Sequence, residues 1–379
     1  MDQVNTIEEL NEIYFENFAF PILFIPFLSR ASEIIGKRIQ KAKKMLGQKV
    51  VVLGHHYQRD EVIQFADYTG DSFKLSKYAA SQNNAEYIIF CGVHFMAETA
   101  DILTNDDQNV ILPNMTAGCS MADMAITDDV LDCWDDLGSV LKNKIVTPIT
   151  YMNSTADIKS LCGENDGVVC TSSNAEQTFE WALKKQGKIL FLPDQHLGRN
   201  TASRMGISDD EMIVWDPFKS LGGNSEEDIN KSKIILWKGH CSVHTRFTLE
   251  QIKKARHKHN DVKVIVHPEC TPDVVDNADL YGSTEFIINQ VSNSKPGTTW
   301  AIGTEINLVN RLAKENQDKN IFCLDSIVCP CATMYRIHPA YLLWVLEGLV
   351  EQNPTNVVQV APDKKKNARK ALDLMLSLS

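Results

Sequence analysis

The sequence lacks any apolar run long enough to cross a bilayer. The longest candidate, Phe18 to Leu28 (FAFPILFIPFL), has 11 residues and two prolines, against the roughly 20 that a spanning helix needs. No basic stretch precedes it, so it also lacks the first part of a secretory signal. It reads as an N-terminal segment that docks on the core, and a membrane partner is not expected. Positive charge is also short. With 38 Lys and Arg against 49 Asp and Glu, the net charge is −11, which argues against nucleic acid as the main partner. A local CxxCxxC run is missing as well, which excludes a ferredoxin-type electron carrier held by four neighbouring cysteines. The ten cysteines (91, 119, 133, 162, 170, 241, 270, 323, 329 and 331) are scattered instead. With no export signal, they read as reduced thiols of a cytoplasmic protein, without disulfides. At 379 residues the chain exceeds one ordinary core, so two or three units of about 100 to 150 residues are expected.

What the sequence does have is a repeated stretch. Lys49 to Asp60 reads KVVVLGHHYQRD; its apolar run predicts a strand buried in a parallel sheet, with polar chemistry at its carboxyl end. An offset of 212 residues carries Val52 onto Val264, His55 onto His267, Asp67 onto Asp279, Gly70 onto Gly282, Ser72 onto Thr284 and Cys119 onto Cys331. That constancy points to an internal duplication. Short apolar runs alternate with helical stretches in both copies, the pattern of a parallel sheet with helices on its faces. Between them lies a weaker copy, with strands expected at 145–150, 167–170, 189–193 and 234–237. It carries insertions near 163–166 and 206–231. The expected division is a helical N-terminal extension (1–48), three αβα units (49–144, 145–261 and 262–345) and a helical tail (346–379). In the extension Ile34, Ile35, Ile39 and Met45 form the expected apolar face; the tail from Lys364 reads as a solvated helix.

Ligands of open parallel sheets sit beyond the carboxyl ends of the strands. Three units can place those ends around one cavity. The first strands then bring His55 and Tyr57, Tyr151 and Asn153, and His267 and Glu269. The second set of turns brings Ser72, Ser172 and Thr284, each a hydroxyl at an expected helix start, where unpaired N–H groups suit a carboxylate or phosphate. The third brings Cys119, Cys241 and Cys331. Three thiolates leave one metal position open; zinc is expected to take histidine among its ligands, so a cubane iron–sulfur cluster with one iron not held by cysteine fits better. Cys91, Cys133, Cys162, Cys170, Cys270 and Cys323 read as small buried hydrophobes.

The motifs GHHYQ, ADYTGDSFKLS, GVHFMAETADIL, NMTAGCSMAD, YMNSTADIK, VVCTSSNA, WKGHCSVHTRF, HPECTPDVV, ADLYGST, AIGTEINLVNRL and CPCATMYRIHP together resemble those of quinolinate synthase, the [4Fe-4S] enzyme family of de novo NAD synthesis. The resemblance covers about residues 48 to 345. It implies a pseudo-threefold arrangement of αβα domains around a central active site, with a [4Fe-4S] cluster on Cys119, Cys241 and Cys331. It also implies condensation of iminoaspartate with dihydroxyacetone phosphate to quinolinate, with loss of phosphate and water. Tyr57, His55, His267 and Glu269 would move protons, and Tyr151 and Asn153 would orient the substrate near the iron. An L-aspartate oxidase or dehydrogenase would supply the iminoaspartate. The chain itself is a monomer or a homodimer on this reading. Cys329 competes with Cys331 for the third ligand position, and the repeat offset favours Cys331. Two other readings stay open at this point: a zinc or iron hydrolase or aldolase using the same cavity, and a non-enzymatic iron–sulfur sensor.

Overall fold

The computed structural model describes residues 25–142, 144–327 and 330–378. Cys329 and the first part of the apolar segment, 18–24, lie outside the described residues. The chain is α/β and builds three sheets. The first holds β1 (Val50–His55), β2 (Tyr68–Gly70), β3 (Tyr87–Cys91) and β4 (Asn109–Ile111); the second holds β5 (Val146–Tyr151), β6 (Val168–Cys170), β7 (Lys188–Leu192), β8 (Met212–Trp215) and β9 (Ile234–Trp237). The third holds β10 (Lys263–Val266), β11 (Leu280–Tyr281), β12 (Thr299–Gly303) and β13 (Asn320–Cys323). A late strand, β14 (Val357–Val358), returns to pair antiparallel with β4.

The three sheets share one order, β2-β1-β3-β4, β6-β5-β7-β9 and β11-β10-β12-β13, with all of these pairings parallel. Val52, Leu53, Ile265 and Val266 are fully buried, as the apolar runs require when helices cover both faces. The duplication extends to individual hydrogen bonds. The Asp67 carboxylate accepts from Val52 N–H at 2.8 Å while Asp67 N–H donates to the Val52 carbonyl at 2.7 Å; Asp279 makes the same pair with Val264 at 2.7 and 2.9 Å.

The structure corrects the sequence reading in three places. The N-terminal helix Ile25–Leu46 buries Ile35, Ile39, Ala42 and Leu46, while Ile34 (50% exposed) and Met45 (62%) face solvent; the apolar stripe is therefore rotated from the expected one. In the second unit, the expected insertion at 206–231 adds a strand, β8, outside β9, together with the helix Glu226–Lys231. The tail is not solvated. Its helix Pro362–Ser377 buries Ala368, Ala371, Leu372 and Met375 and lies along the helix Ala156–Glu164 and β6.

The docking of these two helices is close at Gly163, where an added Cβ would stand 1.9 Å from the Asn367 carbonyl oxygen. Gly163→Ala must push the helices apart, an overpacking that costs about 1–3 kcal/mol. The expected result is an earlier denaturant midpoint with an unchanged slope; an unshifted midpoint would show that the tail does not dock there.

Candidate active site

The turn after β1 folds over its own histidine. Gln58 N–H donates to the His55 carbonyl at 2.9 Å and Tyr57 N–H to His55 Nδ1 at 3.1 Å. The turn after β10 repeats this with Cys270 and Glu269 on His267, at 3.0 and 3.4 Å. Each turn thus aims a histidine, and the residue two positions on, at the same space. In the second unit β5 ends in Tyr151, with Asn153 just beyond. All six line one cavity of about 70 Å³. The hydroxyl residues Ser72, Ser172 and Thr284 line it too, as do Cys119, Cys241 and Cys331. The structure therefore brings together every residue that the strand-end argument selected.

A chain of hydrogen bonds crosses the cavity. The Tyr57 hydroxyl lies 2.9 Å from Thr304 Oγ1 and 3.2 Å from Thr284 Oγ1. Thr304 Oγ1 lies 3.3 Å from His244 Nε2, and His244 Nδ1 lies 2.7 Å from Glu269 Oε2. The other Glu269 oxygen accepts from the Tyr151 hydroxyl at 2.7 Å. Glu269 is fully enclosed; burial pushes its carboxyl up, but the neighbouring His244 and His267, together with the His244 and Tyr151 hydrogen bonds, more than offset this and hold it below the usual range. Burial, with help from the Glu269 charge, raises both Tyr57 and Tyr151 well above the ordinary phenol value. Burial lowers His55 and His267 to about 3 each, so both rings are neutral at pH 7. Around this chain of hydrogen bonds the site therefore holds a carboxylate base in Glu269, protonated phenols in Tyr57 and Tyr151, and uncharged imidazoles in His55 and His267. Asn153 Oδ1 is buried here with no hydrogen-bond partner among the described residues, an acceptor that a ligand could satisfy.

The cysteine loops share a local geometry. A short 3-10 turn starts three residues after each cysteine, at Ala122, His244 and Met334. The N–H of the fourth residue on donates to the cysteine carbonyl in every case: Asp123 to Cys119 at 3.0 Å, Thr245 to Cys241 at 3.0 Å and Tyr335 to Cys331 at 2.9 Å. Burial pushes all three thiols up, Cys119 to about 12, while backbone N–H groups favour each thiolate: Ala122 and Met121 at Cys119, His244 at Cys241, and Met334 and Thr333 at Cys331. Half-buried cysteines whose sulfurs have amide donors beside them suit metal-bound thiolates, whose negative charge those donors stabilise. The donor set fits a cluster held by three cysteines.

Ser72 and Thr284 are the first residues of their helices, as expected, with Asp71 and Ser283 as the capping side chains; Ser172 departs from the expectation, because the helix of the second unit starts only at Ala175, after a turn closed by Asn174. Asp71 lines the cavity beside Ser72. The sequence reading also missed His244 and Thr304, the two links between Tyr57 and Glu269. Thr304 directly follows β12, a strand-end position that could have flagged it, and His244 stands three residues after a candidate ligand. Of the cysteines expected to be plain core, Cys91, Cys133, Cys162, Cys170 and Cys270 are buried and Cys323 is partly so.

The profile of the family described as Quinolinate synthetase A protein matches residues 37–377. A quinolinate synthase of Corynebacterium glutamicum is 56% identical over 342 residues, covering 90% of this chain and 87% of that one. One of Acidobacterium capsulatum is 54% identical over 355 residues, 93% of this chain and 95% of its own. A third, of a Nocardioides species, is 54% identical over 349 residues, with 90% and 89% covered. Matched along nearly its whole described length, and with three sheets delivering one cysteine each to a shared cavity, the chain belongs to the quinolinate synthase family of enzymes, whose role is de novo NAD biosynthesis.

Proposed function

We propose that this protein condenses iminoaspartate with dihydroxyacetone phosphate to give quinolinate, phosphate and two waters, a dehydrating transferase reaction with no net redox change. The observation that carries this reading is the convergence of a cysteine, a hydroxyl loop and a strand-end polar pair from each of three sheets on one cavity. Cys119, Cys241 and Cys331 would hold a [4Fe-4S] cluster. When bound, that cluster supplies a Lewis-acidic iron with an open position.

The chain's own residues supply the rest. Ser72, Ser172 and Thr284 bind carboxylate or phosphate oxygens. Tyr151 and Asn153 orient the substrate, Asn153 through an otherwise unpaired oxygen. Glu269 takes protons as an ionised base, and Tyr57 delivers them through the Thr304–His244 link. His55 and His267, uncharged and with Nδ1 occupied by a backbone N–H, donate from Nε2 to substrate oxygens and nitrogen, so they steer proton movement without adding charge to the wall. Iminoaspartate would come from an L-aspartate oxidase or dehydrogenase. The cytoplasm is the proposed compartment, supported by the free thiols; among the described residues no helix is long and apolar enough to cross a membrane.

The test is direct. Anaerobically purified protein, given dihydroxyacetone phosphate and iminoaspartate generated in place, is expected to form pyridine-2,3-dicarboxylate, detected by chromatography. No product from protein carrying its full complement of iron and sulfide would overturn the reading. A second reading has one observation behind it: donor atoms of Cys241, His244 and Glu269 all lie within 4.8 Å of one another and could hold a single ion, as in a zinc hydrolase or aldolase. That set leaves two of the three equivalent cysteines without a role. Zinc without acid-labile sulfide in the purified protein would favour it.

Substitution of the hydroxyl residues gives a narrower check. Ser72→Ala, Ser172→Ala and Thr284→Ala each remove one hydrogen bond to an anion, about 1.5–3 kcal/mol, so quinolinate is expected to bind roughly 10- to 100-fold more weakly to each folded variant. Normal binding by all three would reassign them to the turns alone.

A further inference from the structure

Lys159 has no exposed surface. It sits on the helix Ala156–Glu164, donates from Nζ to the Ser154 carbonyl, and lies 5.4 Å from the centre of the Phe95 ring. Phe95 belongs to the helix His94–Leu103 behind the first sheet, so the ammonium is held at the seam between the first and second units. Among the described residues no carboxylate pairs with it directly, though the Glu98 carboxylate acts on it from farther away and favours its charge. Burial lowers it to about 8, which still leaves it charged at pH 7. Burying an ammonium without a directly paired carboxylate is costly in a way that burying an apolar side chain of similar size is not. The Ser154 carbonyl, the Phe95 ring and the Glu98 field offset part of that cost, but a charge buried so deeply calls for a further reason.

The cavity gives one. Among the described residues two carboxylic acids, Asp71 and Glu269, and three cysteines line it, and no lysine or arginine does. Yet a ligand with two carboxylates, or a phosphate, must enter. Phe95 forms part of the cavity wall while Lys159 does not reach the lining, and the ammonium lies 5.4 Å from the centre of that ring; the charges of Glu98, Cys162 and Cys119, in that order, act on it. The carbonyl it grips belongs to the turn that follows Tyr151 and Asn153. Ser154 ties that turn back, its Oγ donating to the Tyr151 carbonyl and its N–H to the Met152 carbonyl, both at 2.9 Å.

We propose that Lys159 is a positioning residue for the anionic ligand: from beside the Phe95 ring its ammonium fixes the Tyr151–Ser154 turn and supplies the positive potential that the lining lacks. The inference rests on the proposed binding of dicarboxylate at this site. A charge held one side chain away acts on each ligand charge separately. Lys159→Met is therefore expected to weaken pyridine-2,3-dicarboxylate by about 100-fold and pyridine-2-carboxylate by only about tenfold, with thermal midpoint recorded alongside.

Both ligands are titrated into the anaerobic full-length protein at pH 7, into wild type, Lys159→Met, Lys159→Gln and Lys159→Arg. Lys159→Gln keeps an N–H for Ser154 and is expected to follow Met; Lys159→Arg keeps the charge and is expected to preserve the wild-type ratio of the two affinities. If wild type does not bind the dicarboxylate, the reading of the site fails. If wild type binds it but the uncharged variants lose both ligands equally, or lose neither, the inference about Lys159 fails while the site stands. Uncharged variants that do not fold, beside a folded Lys159→Arg, would assign the charge to the fold and also overturn the inference.

Discussion

Cys241→Ala is expected to purify without cluster iron and without turnover, and so are Cys119→Ala and Cys331→Ala. The reason is geometric: each cysteine comes from a different sheet and lies in the same turn, so none can substitute for another. Loss of one thiolate from a three-cysteine site removes a third of the protein ligands and opens the site to hydrolysis. With the Lewis acid gone, turnover should fall by more than about 10³. Cys133→Ala, whose side chain is buried on the helix Thr127–Leu141, is expected to keep iron and activity, and Cys323→Ala likewise. The closest comparison is within Cys329-Pro330-Cys331. Only Cys331 is followed after three residues by the 3-10 turn that begins at Met334, as Cys119 and Cys241 are by theirs, so Cys331→Ser should lose the cluster and Cys329→Ser keep it under anaerobic purification. The reverse outcome would place the third ligand two residues earlier and break the threefold match.

The next largest effect is expected from Tyr57→Phe. The ring stays against His55, 4.7 Å between centres, and only the hydroxyl that meets Thr284 and Thr304 is lost. Two hydrogen bonds between uncharged groups contribute about 1 kcal/mol each to stability, so the protein folds and loads its metal. General acid catalysis by a positioned group contributes about 10² to 10⁴ in rate. kcat is therefore expected to drop by at least about 10², with quinolinate affinity changed only a few-fold. Steady-state assays that find kcat unchanged would remove Tyr57 from proton transfer and leave it as a cavity wall.

Much of this site was legible because the duplication is legible. His55 and His267 occupy matching places, and so do Tyr57 and Glu269; the strands before them are apolar runs that only a doubly covered sheet accommodates. Where the copies diverge, the reading weakened for the same physical reason. At the position three after the cysteine, the first and third units carry Ala122 and Met334, so nothing in the repeat marks His244 as polar chemistry. Thr304 corresponds to Gly92, again without a signal. The second unit hid β8 because its loop lengthens there and a four-residue edge strand has too few residues to show a period. The tail's basic first half suggested solvent, while its helix buries Ala368, Ala371, Leu372 and Met375 on one face and meets Gly163 of another helix at the Asn367 backbone. The N-terminal helix erred by one step: Ile35 and Ile39 were placed correctly, and Ala42, not Met45, completes the face.

The central claim is that three equivalent cysteines hold a four-iron cluster with one iron left for the substrate. Mössbauer spectra of anaerobic, isotopically enriched protein, recorded before and after addition of quinolinate, test it most directly. The account predicts a [4Fe-4S] signal in which one iron of the four changes on adding quinolinate while the other three hold their parameters. Four indistinguishable irons that ignore the ligand, or a protein that binds zinc in their place, would contradict it.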